Sequence, residues 1–251
     1  TLTLPSTLKK LGNRGEDDMQ DEGTDYYGGV FQGCNNLTGN LRFPDNLELI
    51  RGYCFAGCSG FYGELKLPSH LKRIANCVFQ GCSGLTGSLT IPQNITTIPS
   101  EAFHGCGFNG TLSLHDGIIN IANDAFADND FSGELKLPSS IGHIGSRAFA
   151  NDWRLMGTIE FPEDMQSIGE FAFANCNMIE GIIFPESMET IRQNAFSGCY
   201  GINSIICRGD MPAYIEENAF EGIAKDNFTV EVPESAIAQY QTANGWRDFK
   251  R

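Results

Sequence analysis

Apolar residues return along this chain with two periods at once. The short one is a simple alternation. In Leu65-Lys66-Leu67 and Leu89-Thr90-Ile91 every second residue is apolar, the period of a strand with one buried face. The long one is the recurrence of a whole phrase, of which "LTGSLTIPQNITTIPSEAFHGC" (85–106) is one copy. Its landmark phenylalanines are Phe31, Phe55, Phe79, Phe103, Phe126, Phe149, Phe173, Phe196 and Phe220, each following the last by twenty-three or twenty-four positions. A fixed period of this size marks a solenoid, whose units cannot bury their apolar faces alone and must stack on one another.

One unit reads as three apolar sides. The alternating strand recurs at 2–4, 41–43, 65–67, 89–91, 112–114, 135–137, 159–161, 182–184, 205–207 and 230–232. In most copies a proline follows it, which has no N–H with which to continue a ladder. Strands one circuit apart must run parallel, so one continuous parallel sheet is expected. A second wall comes from the pairs Leu47/Ile50, Leu71/Ile74, Ile95/Ile98, Ile118/Ile121, Ile141/Ile144, Met165/Ile168 and Met188/Ile191. The phenylalanine closes the third side. Gly39, Gly63, Gly87, Gly110, Gly133 and Gly157 stand two residues before a strand, where a sharp turn with positive φ is expected. The wobble between the longer and the shorter unit falls in this turn. Six or seven apolar side chains, each contributing roughly 1.5–3 kcal/mol when buried, do not offset the ordering of one unit at about 1–2 kcal/mol per residue. Stacking is therefore obligatory. The expected fold is a leucine-rich-repeat solenoid, a right-handed superhelix of about nine coils, one for each copy of the phrase. It carries a parallel sheet on one face and turns with short helical or 3-10 segments on the other.

The rhythm breaks twice. Far more chain separates Pro5 from Pro44 than one unit needs, and the surplus, about 12–29, carries Glu16, Asp17, Asp18, Asp21, Glu22 and Asp25. This reads as a solvated acidic loop. Its carboxylates lack the EF-hand order, so calcium binding there stays open. After residue 233 the repeat stops. "AIAQYQTA" (236–243) predicts a short helix with Ser235 as N-cap and Gly245 beyond its end, and Trp246 and Phe249 are expected to close the last coil. The chain thus divides into a solenoid over 1–233 and a C-terminal cap over 234–251.

Charge and composition narrow the function. The net charge of −14 disfavours nucleic acid and anionic membranes as partners. No apolar run approaches the ~20 residues that span a bilayer. The opening "TLTLPSTL" already lies inside a repeat and shows no signal peptide, as expected of a fragment whose upstream part, the place for an anchor, is missing.

The residues that most often carry chemistry fall into repeat positions instead of clusters. Cys34, Cys58, Cys82, Cys106, Cys176 and Cys199 each follow a landmark phenylalanine by three, with Asn129 and Asp152 in the same slot. A column of small buried thiols is expected, its side chains parallel and all nine cysteines free. His70, His104, His115 and His143 occupy different positions in different units. No nucleophilic triad, phosphate loop or zinc motif appears, so no cofactor or metal is implied. What remains is the outward column of the sheet. Arg42, Lys66 and Lys136 make its first half mildly basic, and Ile183 and Ile206 place apolar side chains where water is expected. These five are the candidate binding residues.

The L-x-L/I-P strand, the I-x-x-I step, the A-F-x-x-C box and the L-T-G turn, over about residues 37–233, resemble the BspA-like leucine-rich repeats of bacterial surface proteins. The resemblance implies a cell-surface or secreted protein, bacterial in most instances and of eukaryotic microbes in some, that adheres to host matrix or to other cells. The expected function is non-catalytic recognition of a protein or glycan macromolecule through the sheet face, by a monomer. The alternatives are a structural spacer or stalk presenting another domain and, further off, a carbohydrate- or peptide-processing enzyme.

Overall fold

A computed structural model describes residues 2–12, 29–225 and 229–249. The acidic insertion, with its calcium question, lies outside the described residues from 13 to 28. The nine landmark phenylalanines form one continuous stack. Successive ring centroids are 5.1–5.6 Å apart and successive planes differ by 4–18°. Nine rings, one per coil, bound eight complete circuits. Phe55 through Phe220 are buried, and Phe31, in the first coil, is half-buried. Every member of the Leu/Ile/Met pairs is buried too. The core is thus a single column running the length of the solenoid.

The structure corrects the expectation of one continuous sheet. The second wall is itself a parallel ladder of two-residue strands. Lys10–Leu11, Leu49–Ile50 and Arg73–Ile74 pair in one run, and Thr97–Ile98 through Tyr214–Ile215 in another. Only the second residue of each step faces inward, so two residues of strand suffice to place it.

The outer sheet is interrupted. Leu89–Thr90 pairs with Leu112–Ser113, and Gly133–Glu134, Leu155–Glu160, Ile179–Phe184, Ser204–Cys207 and Thr229–Glu231 form a second group. Leu41–Phe43, Leu65–Leu67 and Leu135–Leu137 keep their leucines buried at 41, 65 and 135 but form no ladder. The reason is register. Gly39 bridges Phe61 and Gly133 pairs with Leu155, each step falling two short of the unit. The leucines that follow, Leu41 and Leu65 or Leu135 and Ile159, are separated by the full unit. At these steps the chain enters the strand two residues out of step, and the segments splay. From Ile159 to Ile182 and on to Ile205, pairing runs through the strand.

The third side carries the largest departure from a sheet. Around each phenylalanine, alternate N–H groups donate to the next coil: Cys77 N to Ser100 O, Phe79 N to Ala102 O and Gly81 N to His104 O, at 2.8–2.9 Å. From Phe55 onward the residue two before the phenylalanine has positive φ although it is never glycine: Tyr53, Cys77, Glu101, Asp124, Arg147, Phe171, Asn194 and Asn218, at 53–58°. The residue two after it is also left-handed, from Gly33 to Gly222. Alternating handedness leaves every second N–H on that side with no carbonyl between them, whereas a β-strand alternates donors and acceptors along one edge. The strain at the eleven non-glycine positions of the row, Asp128, Asn151 and Asn175 among them, is offset by the interlocking hydrogen bonds. The expected positive φ before the strands occurs at Gly39, Gly63, Gly87, Gly133 and Gly157, but not at Gly110, where Ser88 fills the space a Cβ would need.

The C-terminal segment folds as 3-10 turn Glu234–Ala236, helix Ile237–Thr242 and 3-10 turn Trp246–Asp248. These are the helical pieces among the described residues; within the repeats the connections are turns. Ser235 does not cap the helix, because its hydroxyl donates to Asp210 Oδ1 at 2.7 Å. Trp246 is buried against Phe184 and Phe220 and donates its indole N–H to Ala213 O at 2.7 Å, while Phe249 packs edge-on to Phe220. Both aromatic rings close the last coil as expected.

Candidate binding face

The splayed segments open three hollows on the strand face. One, of about 460 Å³, has Leu41, Phe43 and Leu67 along its floor and Arg42, Asp45, Glu64 and Lys66 at its rim. A second, of about 530 Å³, adjoins it between Leu2, Leu4 and Phe43, with Arg42 and Tyr62 at the edge. The third, of about 500 Å³, lies between 134–139 and 158–163 and holds Leu137 and Phe161 below Glu134, Lys136, Glu160 and Glu163. Leu4, Phe43, Leu67 and Leu137 are half-buried. An apolar floor with charged rims suits amphipathic ligands.

Of the five candidate residues, the structure brings Arg42 and Lys66 to one hollow and Lys136 to another. All three are exposed. The face is less basic than the column alone indicates. Lys66 Nζ lies 3.5 Å from Glu64 Oε2, and Lys136 Nζ 3.8 Å from Glu134 Oε2. These ion pairs join side chains two apart on one strand, hence on the same face. Both are highly exposed, so water and salt screen them and each lysine stays free to take another partner.

Ile183 and Ile206 are neighbours in register, flanked by Glu160 and Glu231. They are half-buried, not open. Arg208, two residues beyond Ile206, reaches back to hydrogen-bond Glu160 and Glu163. The guanidinium therefore crosses the coil that carries Ile183. Sequence reasoning missed this clamp, whose partners lie two coils apart.

The remaining chemistry-bearing groups do not converge. All nine cysteines are free thiols, and eight are buried. Those in the repeat slot donate to the phenylalanine carbonyl of the preceding coil: Cys58 to Phe31 O, Cys82 to Phe55 O, Cys106 to Phe79 O, Cys176 to Phe149 O and Cys199 to Phe173 O, at 2.8–3.1 Å. Burial pushes the Cys82 and Cys199 thiols up to about 12, so they are hydrogen-bond donors and not nucleophiles. Asn129 makes the same contact, from Nδ2 to Phe103 O at 2.9 Å and Phe126 O at 2.6 Å. Asp152 is fully buried. One oxygen accepts from Phe131 N at 3.4 Å and the other has no partner, and burial raises its pKa well above the usual carboxylate range. His104 lies 3.5 Å from Asp128, and His115 bonds the carbonyls of Pro92 and Ile95. Among the described residues no group of His, Cys, Asp and Glu is arranged to hold a metal ion, and no helix is long and apolar enough to cross a membrane.

The repeat matches a known family model, described as the BspA type leucine rich repeat region, over residues 24–156 and 132–241. The chain belongs to the BspA-type leucine-rich repeat family. Similar solved structures include a Treponema pallidum leucine-rich repeat protein, 22% identical, covering 67% of this chain and 77% of its own, with a TM-score of 0.52. A leucine-rich repeat protein of Bacteroides ovatus is 19% identical over 91% of this chain and 73% of its own, at 0.49. A leucine-rich cell surface protein of Faecalibacterium prausnitzii is 17% identical over 84% of this chain and 77% of its own, at 0.34. At these identities the Treponema likeness speaks for the fold alone. None of the curated proteins matches the chain.

Proposed function

We propose that this chain is a non-catalytic, extracellular binding module of a bacterial cell surface, which recognises a protein or glycan macromolecule through its strand face. The carrying observation is the row of hollows with apolar floors and charged rims where the strands splay. Arg42, Lys66 and Lys136 supply the cationic contacts. Ile183 and Ile206 extend the face with apolar surface beneath the Arg208 clamp. Membership of a repeat family built on stacked, regular faces supports the same reading. The test is binding to immobilised matrix glycoproteins and bacterial surface components. Lys66→Glu with Lys136→Glu, and separately Ile183→Asp with Ile206→Asp, should weaken binding about tenfold or more, with melting little changed. A protein that binds nothing in a broad panel favours the spacer reading. Turnover of a glycan or peptide that survives repurification overturns the non-catalytic one.

A further inference from the structure

The hydrogen-bond row around the phenylalanines is open at its C-terminal end. In the penultimate coil Asn194 N donates to Glu217 O at 3.3 Å, Phe196 N to Ala219 O at 2.8 Å and Gly198 N to Glu221 O at 2.9 Å. In the last coil the equivalent donors are the N–H groups of Asn218, Phe220 and Gly222, and none of the three has a hydrogen-bond partner among the described residues. Asn218 and Gly222 keep the left-handed conformation of the row, at φ 58° and 84°, so the edge retains its shape without a following coil. The aromatic cap covers the core but not this edge. Between the edge and residues 244–248 lies a groove of about 560 Å³.

We infer that this groove docks a cationic peptide, whose backbone carbonyls accept from the three free N–H groups. The edge presents donors at every second residue with no acceptor between them. A β-strand, which alternates donors and acceptors along one edge, fits it poorly. A segment in the same alternating conformation presents carbonyls in matching order, as every internal coil does. A concave run of N–H groups also suits a free anion, but the groove is acidic. Among the described residues, Glu216, Glu217, Glu221 and Asp248 line it against Lys225 alone. Glu216 is engaged by Gln193 N and Arg192, and Asp248 faces Arg247 at 3.9 Å, which leaves Glu217 and Glu221 as the available charges. These repel an anion and attract lysine or arginine. Tyr214, 64% exposed on the groove wall, offers a ring face to the same cations.

The test uses a labelled peptide of alternating lysine and glycine, since glycine takes the left-handed positions freely, with alternating glutamate and glycine as control. In amide hydrogen exchange, Asn218, Phe220 and Gly222 should exchange fast in the free protein, unlike Asn194, Phe196 and Gly198. At saturating lysine peptide they should slow by about tenfold or more. Tyr214→Ala with Glu221→Lys should weaken the peptide by about tenfold at unchanged melting temperature, whereas Lys66→Glu with Lys136→Glu should leave it unaffected. Three results overturn the inference: no protection at these amides with peptide bound, equal binding of the glutamate peptide, or protection that rises with protein concentration alone, which marks self-association.

Discussion

The phenylalanine stack makes Phe126→Ala the sharpest test of the fold. The ring is fully buried and lies between two others, Phe103 at 5.6 Å and 4° and Phe149 at 5.5 Å and 18°, with the edge of Phe131 at 6.0 Å. Removing a buried phenylalanine side chain costs about 3–5 kcal/mol. Three aromatic contacts, each contributing about 0.5–1.5 kcal/mol beyond burial, place this site at the upper end. Collapse cannot relieve the cavity, because hydrogen bonds in the second wall and around the phenylalanines fix the spacing of the flanking coils. Phe31→Ala is the internal control. Its ring is half-buried and stacks on Phe55 alone within the row, at 5.4 Å, so the loss should be about half as large. Urea titration gives the two differences directly. By calorimetry, at about 2–4 °C per kcal/mol for a chain of this size, Phe126→Ala should lower Tm by roughly 10 °C or more. Equal losses at the two positions, or a loss below about 1 kcal/mol at Phe126, would refute the view that the stack is one load shared along the axis.

Asp152 sets a pH dependence of known sign. Its folded pKa is raised by burial, so its contribution to stability is fully present below the unfolded value, near 3.9, and is lost as pH rises above it, until the folded pKa is passed. Asp152→Asn should remove up to about 1.4 kcal/mol per pH unit of that decline, and parallel urea midpoints for the two proteins between pH 4.5 and 7.5 would count against it. A thiol reagent should titrate about nine equivalents in denaturant, and in native protein should react first at Cys34, the half-buried member; rapid native reaction at Cys82 or Cys199 would contradict their burial.

The repeat period, the buried pairs, the cysteine slot and the aromatic cap were all legible in the sequence, because each rests on side-chain type at a fixed spacing. The second ladder was not. A strand of two residues leaves no alternation to read, and Thr97–Ile98 or Asn120–Ile121 looks like any turn with one apolar residue. The left-handed row was hidden for a related reason. Tyr53, Cys77, Glu101, Asp124, Arg147 and Phe171 share no side-chain property, since the backbone's conformation there is held by the neighbouring coils and not by a local preference. At the candidate face, the exposure of Arg42, Lys66 and Lys136 follows from alternation. The same alternation puts the neutralising Glu64 and Glu134 beside the lysines, a signal that charge counting along one column overlooks. The hollows needed the shortened offset of Gly39 and Phe61, which only the fold reveals.

The alternating row has an electrical consequence. In a β-sheet, neighbouring peptide dipoles along a strand oppose one another and nearly cancel. Around each phenylalanine here, the peptide units that link one coil to the next all point their N–H groups toward the C-terminus and their C=O groups toward the N-terminus. Their moments, about 3.5 D each, add from coil to coil as they do along a helix, although the repeats contain no helix among the described residues. The solenoid is therefore an axial dipole whose positive pole is the end bearing Asn218, Phe220 and Gly222. Glu216, Glu217 and Glu221 stand at that pole, where negative charge is most favourable.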